Sequence, residues 1–330
     1  MPRRELLTEA QREVLIQPTT DERTMVRYYT LGAEDRALID RRRGEANRLG
    51  FAIMLCYCRF PGRPLLEGER PPPEMLAFVA DQLNLDPACF SDYAGRDQTR
   101  RKHLAEIETA VGFRGFDRSR YREIAAWLLP TALATERGVT LASVVIEELR
   151  ARRILMPPIA VIERLCGEVR YRAQRQLWRA LTEGLSEQQS AALDGLLEIR
   201  PAGGQSSLAW LRQTAYAARP GNFPKLIERL RIVPAIGIGP ERTTLIHQNH
   251  WLKLAREGGQ TTVQHLAELE PLRRQATLTA VVLELTATLI DEALNMFERR
   301  RANGPMQINF TAVERSSTTR FGCMLGLATR

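Results

Sequence analysis

Apolar residues in this chain recur three and four positions apart in almost every segment, and nowhere do they keep a period of two. That single pattern excludes most β architectures, because a half-buried strand must alternate apolar and polar residues. Residues 46–60 carry Leu49, Ala52, Ile53, Cys56, Tyr57 and Phe60 on one helical face. Residues 165–181 repeat the pattern with Leu165, Val169, Ala173, Leu177, Ala180 and Leu181. Residues 272–298 form a long stripe through Leu278, Val281, Val282, Leu285, Leu289, Ala293 and Met296. Shorter helices are predicted at 8–16, 21–29, 33–42, 74–83, 97–112, 119–129, 139–153, 187–197, 207–217 and 223–232. One stretch, Ile232 to Ile238, looks strand-like, but Pro234 and Gly237 interrupt it. The expected fold class is all-α: a multi-helix array with helix-turn-helix-like modules in the N-terminal half.

Punctuation divides this array. Pro-rich or Gly-rich connectors lie at 61–73 (PGRPLLEGERPPP), 201–206 and 234–240. The expected organisation is a helical, helix-turn-helix-like DNA-binding module at 1–62. A second helical DNA-binding module with basic helices follows at 63–200. Residues 201–302 are a helical linker or scaffold ending in a long helix, and 303–330 an irregular tail. The longest apolar run, Leu49 to Cys58, falls well short of the ~20 residues that span a bilayer. The opening MPRRELLTEAQRE lacks the apolar core of a signal peptide. Five cysteines, an odd number in helical contexts, fit reduced thiols. A cytoplasmic, nucleoid-associated protein is expected.

Charge supplies the functional signal. The chain carries 47 Lys and Arg against 39 Asp and Glu, and only Lys102, Lys225 and Lys253 are lysines. Codon bias can favour Arg over Lys; so can phosphate recognition, for which the planar guanidinium fork is suited. Position along the chain separates the two. In 41–63, six arginines face one acid. Arg42, Arg43, Asn47, Arg48, Arg59 and Arg63 are candidates there for a basic outer face on a small helical cluster, the general plan of a helix-turn-helix reader. The plain alternative is a solvated amphipathic helix.

Residues 93–122 hold the sharpest local conflict. Asp97 can cap a helix, yet Arg100, Arg101 and Lys102 then occupy its first turn, where the dipole disfavours cations by ~0.3–1 kcal/mol each. A phosphate bound there, with Thr99 and the helix amides, would resolve the conflict. Arg96, Thr99, Arg100, Arg101, Lys102, Arg114 and Arg118 are therefore candidates. A third group, Arg172, Arg175 and Arg179 with Arg164, lies on one side of the 150–179 region, away from its apolar stripe. Glu168 partly neutralises that side and can pair with Arg172.

Other signals are weak. His247 and His250 are three apart without a supporting acid or Cys cluster. Cys56 and Cys58 point to different helix faces. GIGP at 237–240 lacks the third glycine of a dinucleotide loop. No metal, cofactor or catalytic residue is expected.

Three strings, taken together, carry a family resemblance. They are YYTLGAEDRALIDRRRGEANRLGFAIMLCYCRFPGRPL at 28–65, VADQLNLDPACFSDYAGRDQTRRKHLAEIETAVGFRGF at 79–116, and the helix at 256–300. In this order and spacing they resemble the N-terminal region of Tn3-family transposases. The resemblance implies an all-α region that recognises the terminal inverted repeats of the transposon in double-stranded DNA. It implies too that catalysis belongs to an RNase H-like domain nearer the family's C-terminus, so no enzyme activity is expected of this chain alone. A second copy of the chain is a candidate partner; a membrane is not. Shifting the reading of AVERSSTTRFGCMLGLA by one base permits GRALINDEVRLYARLG, which resembles the family's continuation. Residues from about 303 onward are accordingly expected to be out of frame, ending a truncated transposase. The competing reading is a helical protein-interaction scaffold, without specific DNA binding, whose partner surface runs along 272–298.

Overall fold

The computed structural model describes residues 6–93, 97–199, 204–213, 223–244 and 246–302. Among them there is no strand; two isolated bridges, Arg114 with Ile154 and Ile199 with Ser206, are the sole β pairings. The all-α expectation holds. The helices are α1 (Glu9–Ile16), α2 (Glu22–Thr24, continued by a π-helical turn Met25–Tyr29), α3 (Ala33–Ile39), α4 (Glu45–Arg59), α5 (Pro73–Leu83), α6 (Phe90–Tyr93), α7 (Asp97–Val111) and α8 (Arg118–Ala134). They continue with α9 (Gly138–Ala151), α10 (Ile159–Thr182), α11 (Glu187–Gly195), α12 (Ser207–Leu211), α13 (Phe223–Ala235), α14 (Gln248–Gln260), α15 (Val263–Ala267) and α16 (Pro271–Ala302). The predicted tail at 303–330 lies outside the described residues.

The chain forms two compact units, divided between Leu177 and Trp178. The first unit contains two cores. One is built around α4, in which ten consecutive residues from Leu49 to Cys58 are buried. A helix buried on all sides has no solvent face to present. The outward basic face expected for α4 is consequently confined to its ends. Met75, Val79, Phe90, Tyr93 and Ile107, from α5, α6 and α7, surround it. Leu65, from the Pro-rich connector, packs in that same core. Close approach demands Gly50: a Cβ there would meet the Tyr93 ring at 2.2–2.4 Å.

The other core joins α8, α9 and the first half of α10 through Ile124, Leu128, Val145, Leu149, Leu165 and Val169. Sequence reasoning ended α8 before Pro130, yet the helix continues to Ala134. Leu128 and Ala132, on either side of the proline, are both buried. Burial of that face offsets the missing backbone hydrogen bond.

In the second unit, α16 packs against α11, α13 and α14. The single helix expected at 256–300 is divided among the end of α14, the short α15 and α16, and the first part of α14, before residue 256, had no predicted counterpart. A Cβ at Gly258 would lie 2.6 Å from Thr277 and Val281, so glycine permits close packing of α14 on α16. Ile290, Leu294 and Phe297 are exposed on the far half of α16. No helix among the described residues is long and apolar enough to cross a membrane.

Candidate nucleic-acid interface

The predicted cations divide into those that hold the chain together and those that stay outside. Arg63 belongs wholly to the first group and is 8% exposed. It donates to both carboxylate oxygens of Glu69 at 2.6 and 2.7 Å and to the carbonyl of Ile16 at 2.9 Å. Its guanidinium also lies over the Tyr57 ring. Arg59 bonds Asp35 at 2.6 Å and the Thr30 carbonyl at 3.3 Å. Arg42 pairs with Glu106 of α7 and stacks on Phe51. Arg48 reaches back to Asp40 at 2.6 Å, and Asn47 donates to the carbonyl of Arg43 at 2.9 Å. In this group Arg43 is exposed.

The conflict at the start of α7 has an internal resolution. Arg100 is buried and donates to the carbonyl of Leu65 at 3.0 Å. The dipole cost at that helix end is offset by a tie to the connector between α4 and α5. Thr99 is half-buried, while Arg101 and Lys102 are exposed. Arg96 lies outside the described residues. His103, next in the helix, is buried, stacks on Tyr93 and meets its hydroxyl at 3.3 Å. Burial, then the neighbouring Arg42 charge, lowers its pKa, so the ring is held neutral.

Elsewhere the same use of arginine recurs. Arg36 donates to the carbonyl of Gln82, Arg153 to that of Val111, Arg212 to that of Thr261 and Arg242 to that of Glu183. A guanidinium fork can bridge several acceptors at once, which an ammonium cannot do in fixed geometry. Much of the arginine excess thus serves as loop and helix-end clamps.

The cations that stay outside gather on the loop 112–118 and on α10. Gly112, at φ +76°, turns the chain out of α7. The loop is then fixed to the α9–α10 connector: the Arg114 amide donates to the Arg153 carbonyl, and the Leu155 amide to the Arg114 carbonyl, both at 2.8 Å. Asp117 caps α8 by accepting from the Arg120 amide at 2.9 Å, and Arg120 bonds the Gly115 carbonyl at 3.1 Å. Arg114 and Arg118 project from this anchored frame, exposed and without an acidic partner among the described residues. On α10, Arg164 and Arg172 are exposed, with Arg172 paired to Glu168, while Arg175 is half-buried. Arg179, further along the helix, is exposed.

Between loop and helix lies a cleft of about 600 Å³, lined by Phe116, Asp117, Arg118, Tyr121, Pro157, Pro158, Val161, Arg164 and Glu168. Sequence reasoning passed over its aromatic residues. The signal was present in GFRGFDRSRYRE, where aromatic and basic residues interleave.

Other chemistry is sparse among the described residues. No group of three metal-ligating side chains is present. His247 instead accepts from the Asn249 amide at the start of α14. Cys56, Cys58 and Cys166 are buried, and burial pushes the Cys56 thiol up to about 12.

A helical body clamped by arginine, with a cationic loop-and-helix face, defines a class of basic all-α modules. Residues 6–169 match a family model described as a domain of unknown function (DUF4158). The chain is 42% identical over 91% of its length to the transposase for transposon Tn21 of Escherichia coli, and 40% identical over the same share to that for Tn501 of Pseudomonas aeruginosa. Identity to the transposase for Tn1546 of Enterococcus faecium is 29% over 90% of the chain. The chain belongs with the Tn3-family transposases and spans about 30% of the length of these relatives.

Proposed function

We propose that this chain is a DNA-binding part of a Tn3-family transposase, recognising the terminal inverted repeats of a transposon as double-stranded DNA, with catalysis residing elsewhere in the family's longer proteins. The carrying observation is the sorting of cations. After Arg42, Arg59, Arg63 and Arg100 are spent on internal contacts, Arg114 and Arg118 stand outward on a loop fixed at both ends. Arg164 and Arg172 extend that face along α10. Arg43 and Lys102 supply a second group: Arg42, beside Arg43, pairs with Glu106, one helical turn beyond Lys102 on α7. Phosphate contacts from such side chains position a protein on the duplex.

The test is a salt titration of binding to terminal-repeat duplex by gel shift. In the Arg114→Ala/Arg118→Ala double variant, affinity should weaken and the slope of log K against log salt should fall by about 2, one phosphate contact per arginine. A slope equal to that of the parent protein would remove this loop from the interface. The scaffold reading has one observation in its favour, the exposed Ile290, Leu294 and Phe297 on α16. It predicts no preference for terminal-repeat duplex over random duplex in the same titration.

A further inference from the structure

We propose that the cleft between loop 112–118 and α10 binds a single unpaired nucleotide of a DNA strand, its base against the aromatic and proline floor and its phosphate on the arginine rim. This deepens the DNA reading above by naming a second form of DNA, unstacked rather than duplex, and rests on that reading for the source of the nucleotide. The cleft's own chemistry makes the case.

The floor suits a flat, apolar face. Phe116 and Tyr121 meet edge to face, with centroids 6.3 Å apart, and Pro157, Pro158 and Val161 complete the surface. A base stacks on such a surface whatever its sequence. The volume, about 600 Å³, falls within the ordinary range for small-ligand sites.

The rim is cationic because its acids are already engaged. Asp117 accepts from the Arg120 amide and pairs with the Arg120 side chain. Glu168 accepts from the Tyr121 hydroxyl at 2.8 Å and pairs with Arg172. Arg118 has no acidic partner among the described residues, and the Arg164 guanidinium lies over the Tyr121 ring, 5.8 Å from its centroid. An anion entering the cleft thus meets two guanidinium groups, not a neutralised surface.

The parts are also held in place beforehand. Phe116 sits on the loop that pairs with residues 153–155, the ring of Tyr121 is fixed by Glu168, and two consecutive prolines form the wall. Little ordering cost remains for binding.

The probe is a 5′-phosphorylated thymidine tetranucleotide carrying 5-iodouracil, followed by fluorescence anisotropy and photocross-linking on the full chain. Binding with cross-links at Phe116 or Tyr121 is expected. Phe116→Ala should weaken that binding about tenfold or more, the loss of one stacked base. Arg164→Ala, at an exposed position, should weaken it too without shifting the thermal midpoint, and so serves if Phe116→Ala unfolds. Undiminished affinity in folded variants, cross-links outside the cleft, or displacement of the tetranucleotide by a proline-rich or acidic peptide would overturn the proposal. Terminal-repeat duplex is titrated in parallel. Duplex binding with no tetranucleotide in the cleft refutes the cleft alone. Tetranucleotide in the cleft with no duplex binding refutes the duplex reading and keeps the cleft.

Discussion

The core around α4 and the face formed by loop 112–118 with α10 draw on the same residue type and use it in opposite ways. Around α4, arginines turn inward. Arg63, Arg59, Arg42 and Arg100 reach carbonyls and carboxylates of other helices and loops. On the second face, Arg114 and Arg118 are exposed without an acidic partner among the described residues, while the equally exposed Arg164 lies over the Tyr121 ring and Arg172 pairs only with Glu168 of its own helix. Basic density along the sequence is similar in both. Burial of the surrounding backbone is what differs. A connector laid across a core leaves carbonyls that need donors, and arginine supplies several at once. Along a surface helix the backbone is already satisfied, and the side chains remain available to a ligand.

The largest expected effect that would break this comparison lies at Arg63. Arg63→Ala should cost about 3–5 kcal/mol, because Glu69 would be left partly buried without its bidentate partner. Urea denaturation checks it; a loss below 1 kcal/mol would place Arg63 with the outward group. Arg63→Lys should recover little, since one ammonium cannot reach Glu69 and the Ile16 carbonyl in the same geometry.

Gly50→Ala comes next, at about 1–3 kcal/mol for overpacking against the Tyr93 ring. A thermal melt equal to the parent's would mean that α6 yields freely. The parallel change at Gly167, where an added Cβ meets nothing within 4 Å, should be harmless.

The smallest effect concerns pH. His103 has its pKa lowered in the folded chain by burial and by Arg42, below its ordinary value of 6.5. The unfolded state therefore takes up a proton first as pH falls. Stability should be unaffected by this group above pH 6.5 and decline progressively below it. Denaturation between pH 7.5 and pH 5 reads the slope, and His103→Phe should flatten it. An unchanged slope in that variant would assign the titration to other groups.

Much of the helical framework was legible in the sequence. The stripes of α4, α10 and α16 are local periodicities, and the start of α11 carries its own capping box, with Ser186 and Gln189 bonded reciprocally. The Arg excess was equally plain. Less legible was that Leu49–Cys58 would be buried on every side, since its polar ends resemble those of a surface helix. The dipole conflict at Arg100 was visible, but its solution, the Leu65 carbonyl, lies 35 residues away. The cleft was hidden for the same reason: Phe116 and Arg164 belong to segments far apart in the chain.

Helix class, most helix positions and charge were thus determined by the sequence alone, because 3.6-residue periodicity and side-chain type act within a turn or two. The tertiary structure decided which cations became part of the protein's interior contacts and which stayed on its surface. That choice depends on carbonyls, carboxylates and rings brought together from distant segments, as with Arg12 and Glu163, 151 residues apart. No local pattern encodes such pairings.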